Sequence, residues 1–414
     1  MPIIISAEDG NLFLLVDGPL LTEGGDGDDT IVNDAGWPTT LSGGAGADWL
    51  QGGLYDDRLV GGPGADTLVG GGMPWLDVVD YWADTTGVTV LLLDGAVGIG
   101  GLAEGDVYIG VGGAQGGSGN DVLMAPASIA RLNGGPGDDT LVGGAFDQDR
   151  LVGQDGDDVL LGGDAYDILY GWDGNDTALG GAGNDEIGLD NGDDAASGED
   201  GDDALHGGDG ADALLGAAGR DSLFGDGGAD ALDGGSEADT LSGGTEDDNL
   251  WGGADDDRLL GGDGADGLAG GTGQDWLFGE DGEDGLDGGD GDDTLSGGLG
   301  ADALAGGAGA DVFLLDPPGT GLDRVLDFTG GEDRIALFAA LLPGLAAGPL
   351  DAARFEANAT GEARLAPAGT GVLVFDTSRQ ALLWDGDGTG GAAAIGIAFF
   401  DGAVVLAASD ITLI

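Results

Sequence analysis

Gly288-Gly289-Asp290-Gly291-Asp292-Asp293-Thr294-Leu295-Ser296 is one unit of a nonapeptide that recurs along most of this chain. Numbered from its first glycine, the unit carries aspartate at position six. That aspartate returns every nine residues, without a slip, from Asp158 to Asp311. The series is Asp158, Asp167, Asp176, Asp185, Asp194, Asp203, Asp212, Asp221, Asp230, Asp239, Asp248, Asp257, Asp266, Asp275, Asp284, Asp293, Asp302 and Asp311. A fixed short period makes each repeat one structural unit stacked on its neighbours. A carboxylate at a fixed place in a glycine-rich turn then means that stacking brings acids together.

Position eight is apolar almost every time, as at Leu50, Leu59, Leu68, Leu141, Leu160, Leu205, Leu250, Leu277 and Leu295. Alternation around it predicts a strand about three residues long, with position eight inward and positions seven and nine outward. Glycines at positions one, two and four allow backbone conformations that other residues resist, so carbonyls can turn toward a common point. Three strand residues and six turn residues, repeated, wind into a flat parallel coil. Two nonapeptides complete one turn, so each loop stacks on the loop eighteen residues away at a rung spacing of ~4.8 Å. Carboxylates at that spacing repel one another strongly unless a cation lies between them. A hard ion held by ~6–8 oxygens at ~2.3–2.6 Å fits, and calcium tolerates irregular carbonyl-rich cages that magnesium does not. Transition metals favour imidazole or thiolate, and the chain has one histidine and no cysteine.

Composition agrees. The 414 residues carry 79 acidic and 10 basic side chains, a formal charge of −69. Such a chain cannot neutralise phosphates, which argues against nucleic acid and against an electrostatic hold on anionic membranes. There are 95 glycines, far above the usual ~7%, but they fall in nine-residue steps and not in collagen triplets. Acidic low-complexity chains normally stay disordered; here 41% of residues are apolar and sit at one place in the repeat. Order conditional on counter-ions satisfies both facts. Without cysteine there is neither a disulfide framework nor a thiolate site. No N-terminal secretory signal is visible, and no apolar run approaches the ~18 residues of a membrane span.

Five segments follow. Residues 1–23 read as an N-terminal strand cap (Ile3–Ile5 and Leu12–Val16), and residues 24–72 as a first repeat block with Asp29, Asp48, Asp57 and Asp66 at position six. Residues 73–115 break the period with runs such as Val88-Thr89-Val90-Leu91-Leu92-Leu93, and read as extra rungs or a side hairpin. Residues 116–314 form the main block, opening with Asp121, Asp139 and Asp149 at position six; Ala130 stands where an aspartate is expected, and one residue is inserted between Asp139 and Asp149. Residues 315–414 read as a β-rich cap, with strands at Val372–Phe375, Leu382–Trp384, Ile395–Phe400 and Val404–Leu406, and a short helix at Ile335–Leu342 ending at Pro343. Repeat stacks need such an end piece. The fold class expected is all-β, a parallel β-roll with a small β-rich C-terminal cap.

The repeat resembles the calcium-binding Gly-Gly-x-Gly-x-Asp-x-apolar-x unit of RTX proteins, over roughly residues 24–72 and 116–314. The resemblance implies that position-six aspartates of loops eighteen residues apart hold each calcium (Ca2+) ion, together with carbonyls of positions one to four. On this basis Asp293 pairs with Asp311, and Asp284 with Asp302. It assigns as ligands every position-six aspartate named above. It adds loop glycines such as Gly207, Gly208 and Gly210; Gly261, Gly262 and Gly264; Gly288, Gly289 and Gly291; Gly297, Gly298 and Gly300; and Gly306, Gly307 and Gly309. The tail, with Leu322-Asp323-Arg324-Val325-Leu326-Asp327-Phe328 and Leu383-Trp384-Asp385-Gly386-Asp387-Gly388-Thr389, resembles the C-terminal region of serralysin-like secreted proteins. Asp410-Ile411-Thr412-Leu413-Ile414 resembles their type I secretion signal, an acid followed by apolar residues.

Some loops depart from the pattern. Glu237, Glu246 and Asp255 replace the position-four glycine, Leu189-Asp190 replaces the opening glycines, and Ala178 and Ala196 thin the core. Ion sites there are expected to be weaker or absent. His206 falls at an outward position and reads as a surface residue. Asp385 and Asp387 read equally as a turn or a calcium site, and the scattered Trp49, Trp172, Trp251 and Trp276 form no single sugar-stacking row. One histidine cannot build a His-Glu-x-x-His zinc site, and nothing singles out a carboxylate pair for glycoside hydrolysis.

The expectation is therefore a secreted, non-enzymatic protein that folds on binding calcium outside the cell. Its role would be structural or adhesive at a cell surface or in a matrix, with type I secretion machinery and a surface or polysaccharide ligand as further partners. The alternative is a non-catalytic secretion or stabilisation module of a secreted hydrolase or polysaccharide-modifying enzyme.

Overall fold

The computed structural model describes residues 13–16, 21–33, 37–72, 77–125, 131–145, 148–316, 321–342, 345–358, 371–386 and 394–414. The expectations for Ile3–Ile5, Leu12, Ala130, Pro343 and Asp387–Thr389 fall outside these residues. The chain divides into two compact units, Met1–Asp209 and Gly210–Ile414. Each is built of parallel β-strands in stacked rungs, and among the described residues there is no α-helix.

In the second unit the rung repeat is eighteen residues, as the nonapeptide requires: Arg258 pairs with Trp276, Trp276 with Thr294 and Thr294 with Val312. The opposite face steps likewise from Ala231 to Asn249 to Gly267 to Gly285. Along each strand burial alternates, and position eight (Leu241, Leu250, Leu259, Leu277, Leu295, Leu304) is completely buried. Each such leucine contributes roughly 2 kcal/mol by leaving water.

The strands are longer than three residues. Arg258–Asp263, Trp276–Asp281 and Thr294–Leu299 run from position seven to position three of the next repeat. Their length follows from equal loop lengths: positions two and three of stacked loops also pair, as Gly289 with Gly307 and Asp290 with Ala308. The short form survives earlier in the chain, at Trp49–Gln51, Arg58–Val60, Thr67–Val69 and Val122–Met124.

In the first unit single-residue insertions are absorbed without losing register, since Thr30 pairs with Trp49 and Thr140 with Val159, nineteen residues apart. The segment between the repeat blocks supplies rungs to two faces. Val78–Asp80 and Gly113–Gln115 pair with each other and with Arg58–Val60 and Arg131–Asn133. Thr89–Leu91 and Val107–Ile109 join the other side, and antiparallel bridges Thr89–Ile99 and Val97–Val107 link them to the turn between.

The C-terminal region closes both faces of the second unit. Arg334–Leu337 is a strand, with a 3-10 turn at Ala339–Leu341, where a helix over Ile335–Leu342 was expected. The exposed ladder of Val312–Leu315 offers hydrogen bonds and an apolar rung for Ile335 and Leu337, which outweighs local helical preference. Ile411–Leu413 adds the next parallel strand. On the other face Ile395–Phe400 lies parallel to Asp323–Val325 and carries Ala381–Asp385 and Val372–Asp376 antiparallel beyond it. A ring series, Phe313–Phe328–Phe400–Phe375 at 5.6–6.1 Å between centroids, fastens the last rungs to this cap. Val404–Leu406, expected as a strand, is irregular and Val405 is 83% exposed.

Candidate metal centre

Position six lies just before the strand, where the backbone turns inward. Its carboxylate is consequently almost fully buried, at 0–3% exposure from Asp158 through Asp311. One oxygen has a fixed duty: Oδ1 accepts from the main-chain N–H of the position-six aspartate one turn earlier. Asp257 N–H donates to Asp275 Oδ1, and Asp275 N–H to Asp293 Oδ1, both at 2.8 Å. Asp29 N–H to Asp48 Oδ1 and Asp139 N–H to Asp158 Oδ1, both at 2.7 Å, keep the bond across the inserted residues.

The other oxygen, Oδ2, points toward the position-one glycine of its own loop. A Cβ at Gly252, Gly270 or Gly288 would collide with Oδ2 of Asp257, Asp275 or Asp293, and would lie 2.6–2.7 Å from the carbonyl of the glycine eighteen residues on. Carboxylate oxygen and glycine carbonyl therefore face one small space. In Asp48, Asp66, Asp139, Asp158, Asp167, Asp176 and Asp185, and in the nine-residue series from Asp230 to Asp293, Oδ2 is buried without a hydrogen-bond partner. A buried carboxylate oxygen left unpaired costs far more than a hydrogen bond contributes. Burial, and after it the neighbouring carboxylates, push Asp66, Asp158, Asp167, Asp239, Asp248, Asp257 and Asp284 up to about 7, and Asp139 up to about 8. Burial thus works against their ionised form at neutral pH, and a cation sharing their space would favour it. The donor set, carboxylate plus main-chain carbonyl, suits a hard ion. Among the described residues no three acidic, histidine or cysteine side chains converge on one point, so carbonyls must complete any coordination shell.

Not every position-six aspartate is in this condition. Oδ2 of Asp121 accepts from Gly117 N–H at 2.7 Å and that of Asp149 from Gly144 N–H at 2.6 Å. Asp57 accepts from Gly53 N–H at 2.5 Å on Oδ2, and from Thr39 N–H, Thr39 Oγ1 and Asn33 Nδ2 on Oδ1. These three carry partners of their own, a distinction the repeat pattern does not reveal.

Two further groups escape a search for the nonapeptide. Asp77, Asp106 and Asp333 stand in the same structural place, accepting on Oδ1 from Asp57, Asp66 and Asp311 N–H at 2.9, 2.8 and 3.1 Å. Their signal is an aspartate directly before a strand with an apolar residue two places on. Oδ2 of Asp77 takes Gly71 N–H and that of Asp333 takes Thr329 N–H, both at 2.6 Å. Oδ2 of Asp106 takes the buried Tyr81 hydroxyl at 2.8 Å, itself 3.0 Å from Tyr108 Oη. Position five is the second group. Its carboxylates accept from the loop above, as in Gln274 N–H to Asp256 and Ala265 N–H to Asp247, both at 2.8 Å. Acidic doublets such as Asp247-Asp248 announce this pattern.

The departing loops keep the backbone shape at a cost. Glu237, Glu246 and Asp255 at position four, and Asp190, Ala217, Asp226 and Glu280 at position two, hold φ of +67° to +82°, about 1 kcal/mol worse than glycine each. Leu189 is fully buried where other loops have the position-one glycine. His206 lies on the exposed face.

No curated protein matches the chain. Among solved structures, the solution structure of a subunit of the Azotobacter vinelandii mannuronan C5-epimerase is 27% identical over 41% of this chain and 78% of that one, with a TM-score of 0.20. The family model of the RTX calcium-binding nonapeptide repeat, in four copies, matches residues 42–72, 115–147, 149–187, 190–223, 206–241, 233–268, 261–295 and 278–313, more than half of the chain. With its parallel roll and its buried carboxylate ladder, this chain belongs to the RTX calcium-binding nonapeptide repeat family, and its repeats bind several calcium ions.

Proposed function

We propose that the chain is an extracellular structural or adhesive protein, not an enzyme, whose folding is driven by calcium after export. The observation carrying this reading is the row of buried Oδ2 atoms without a partner. We assign the ions to those loops, with the carboxylates and the glycine carbonyls of positions one to four as ligands. The loops of Asp57, Asp121 and Asp149 are read as internally braced. Calcium, when bound, supplies the positive charge that ionised carboxylates at this spacing require. The chain contributes the rest: aspartates fixed by the N–H of the preceding turn, and glycines that leave room beside them.

Because only the folded state presents the sites, binding favours folding by mass action. At the ~10⁻⁴–10⁻³ M affinities of extracellular modules, the chain stays open where free calcium is low. The C-terminus supports export in that open state. Ile411 and Leu413 are buried between Arg334–Leu337 and Gly348–Pro349, so a type I secretion signal there is readable only before folding.

The test is far-UV circular dichroism during calcium titration of metal-stripped protein, with magnesium as control. A cooperative coil-to-strand transition near millimolar calcium, absent with magnesium, is expected. A chain already folded without metal would refute the ion-driven mechanism.

A further inference from the structure

The outer face of the first unit carries a groove of about 850 Å³, lined by Thr40, Asp56, Arg58, Trp82, Gln115 and Arg131 among others. That volume is in the range of small-molecule sites. Two of the ten arginines of a chain with net charge −69 meet in it. Neither guanidinium is a bare charge: Arg58 is paired with the buried Asp80, and Arg131 Nη1 lies 3.9 Å from Asp56 Oδ2. Trp82 is 52% exposed, and its main-chain N–H donates to Asp80 Oδ1 at 2.8 Å. It contributes an indole face to solvent in a segment whose neighbours Tyr81 and Tyr108 are fully buried. Gln115 is oriented by Asn133, with Nε2 at 3.2 Å from Oδ1.

Beneath the groove, the frame stands apart from the calcium ladder. Asp57 lines the groove, and both oxygens of Asp57, Asp77, Asp106 and Asp121 accept hydrogen bonds from the protein. The N–H groups of Gly53, Gly71 and Gly117 and the Tyr81 hydroxyl occupy the Oδ2 atoms that other loops leave bare.

We propose that this groove binds the pyranose rings of a neutral glycan. An amphipathic indole offers a surface for the apolar face of a sugar ring. Planar groups flanking it (a guanidinium, a carboxylate and an amide) match vicinal hydroxyls, which both donate and accept. Neutrality follows from charge: both arginines already face carboxylates, and a polyanion would approach a strongly negative chain. The inference rests on the extracellular reading above and adds a ligand class to it.

The test uses the full calcium-loaded chain with cellohexaose, mannohexaose, maltohexaose and xylohexaose, and polygalacturonate as the anionic comparison. Binding is read by calorimetry and tryptophan fluorescence, and folding by circular dichroism. At least one neutral hexaose is expected to bind, and Trp82→Ala and Arg131→Ala should each weaken it at least tenfold while calcium-dependent folding persists. Binding of none of the neutral hexaoses, binding of polygalacturonate alone, or affinity untouched by both substitutions would overturn the groove and leave the calcium reading intact. Loss of calcium-dependent folding in the unsubstituted chain would instead overturn that underlying reading.

Discussion

Protons should replace calcium in building the roll. In the metal-free fold Asp239, Asp248, Asp257 and Asp284 of the second unit are raised from 3.8 to about 7, chiefly by burial and then by the carboxylates one turn away. A folded value above the unfolded one means that the stability contributed is fully present below about pH 4 and lost as pH rises through 7. At pH 7.5 each of the four costs the metal-free fold roughly 4 kcal/mol, and at pH 5 less than half as much. Together they amount to roughly 16 kcal/mol at the higher pH, more than the ~5–15 kcal/mol that holds a typical domain together. Dropping to pH 5 recovers about 10 kcal/mol of this. The assay is far-UV circular dichroism of metal-stripped protein at pH 7.5 and pH 5, with sedimentation velocity to exclude aggregates. Strand signal should be absent at pH 7.5 and present, in monomeric protein, at pH 5. If the metal-free chain shows no more strand at pH 5 than at pH 7.5, the carboxylate ladder is not what opposes folding.

Other perturbations separate the two kinds of aspartate. Asp293→Asn should lower the ion count in native mass spectrometry and raise the calcium midpoint, because Asp293 Oδ2 has no partner in the protein. Asp121→Asn should destabilise without changing that count, since Val88 and Gly117 N–H occupy both oxygens at 2.7 Å; equal ion losses would refute the distinction. Tyr81→Phe removes the hydroxyl from Asp106 Oδ2 and should cost about 1–3 kcal/mol, seen as a lower Tm in saturating calcium; an unchanged Tm would show that this bond is idle. Ala217→Gly relieves φ of +82° and should raise stability by about 1 kcal/mol in denaturant melts; a loss would mean that the Ala217 methyl packs usefully.

Much of the architecture is legible in the chain because its decisive contacts are periodic. A nine-residue pattern with leucine at position eight and aspartate at position six sets the inward face, the eighteen-residue rung step (Thr294 to Val312) and the ladder of acids. Each follows from local geometry repeated without change. What the sequence leaves open depends on contacts that no period announces. Asp66 and Asp106 meet across forty residues, and the Tyr81 hydroxyl closes that site from just beyond the strand Val78–Asp80. Asp121 and Asp293 look alike in the repeat, yet only the fold brings Gly117 N–H onto one carboxylate and leaves the other bare. Ile335 joins a strand because Phe313 presents an open ladder beside it, a partner invisible to local propensity. Periodicity thus determined where the acids stand, and tertiary packing decided which of them have a partner, because a hydrogen bond depends on what lies across the gap and not on the residue that reaches into it.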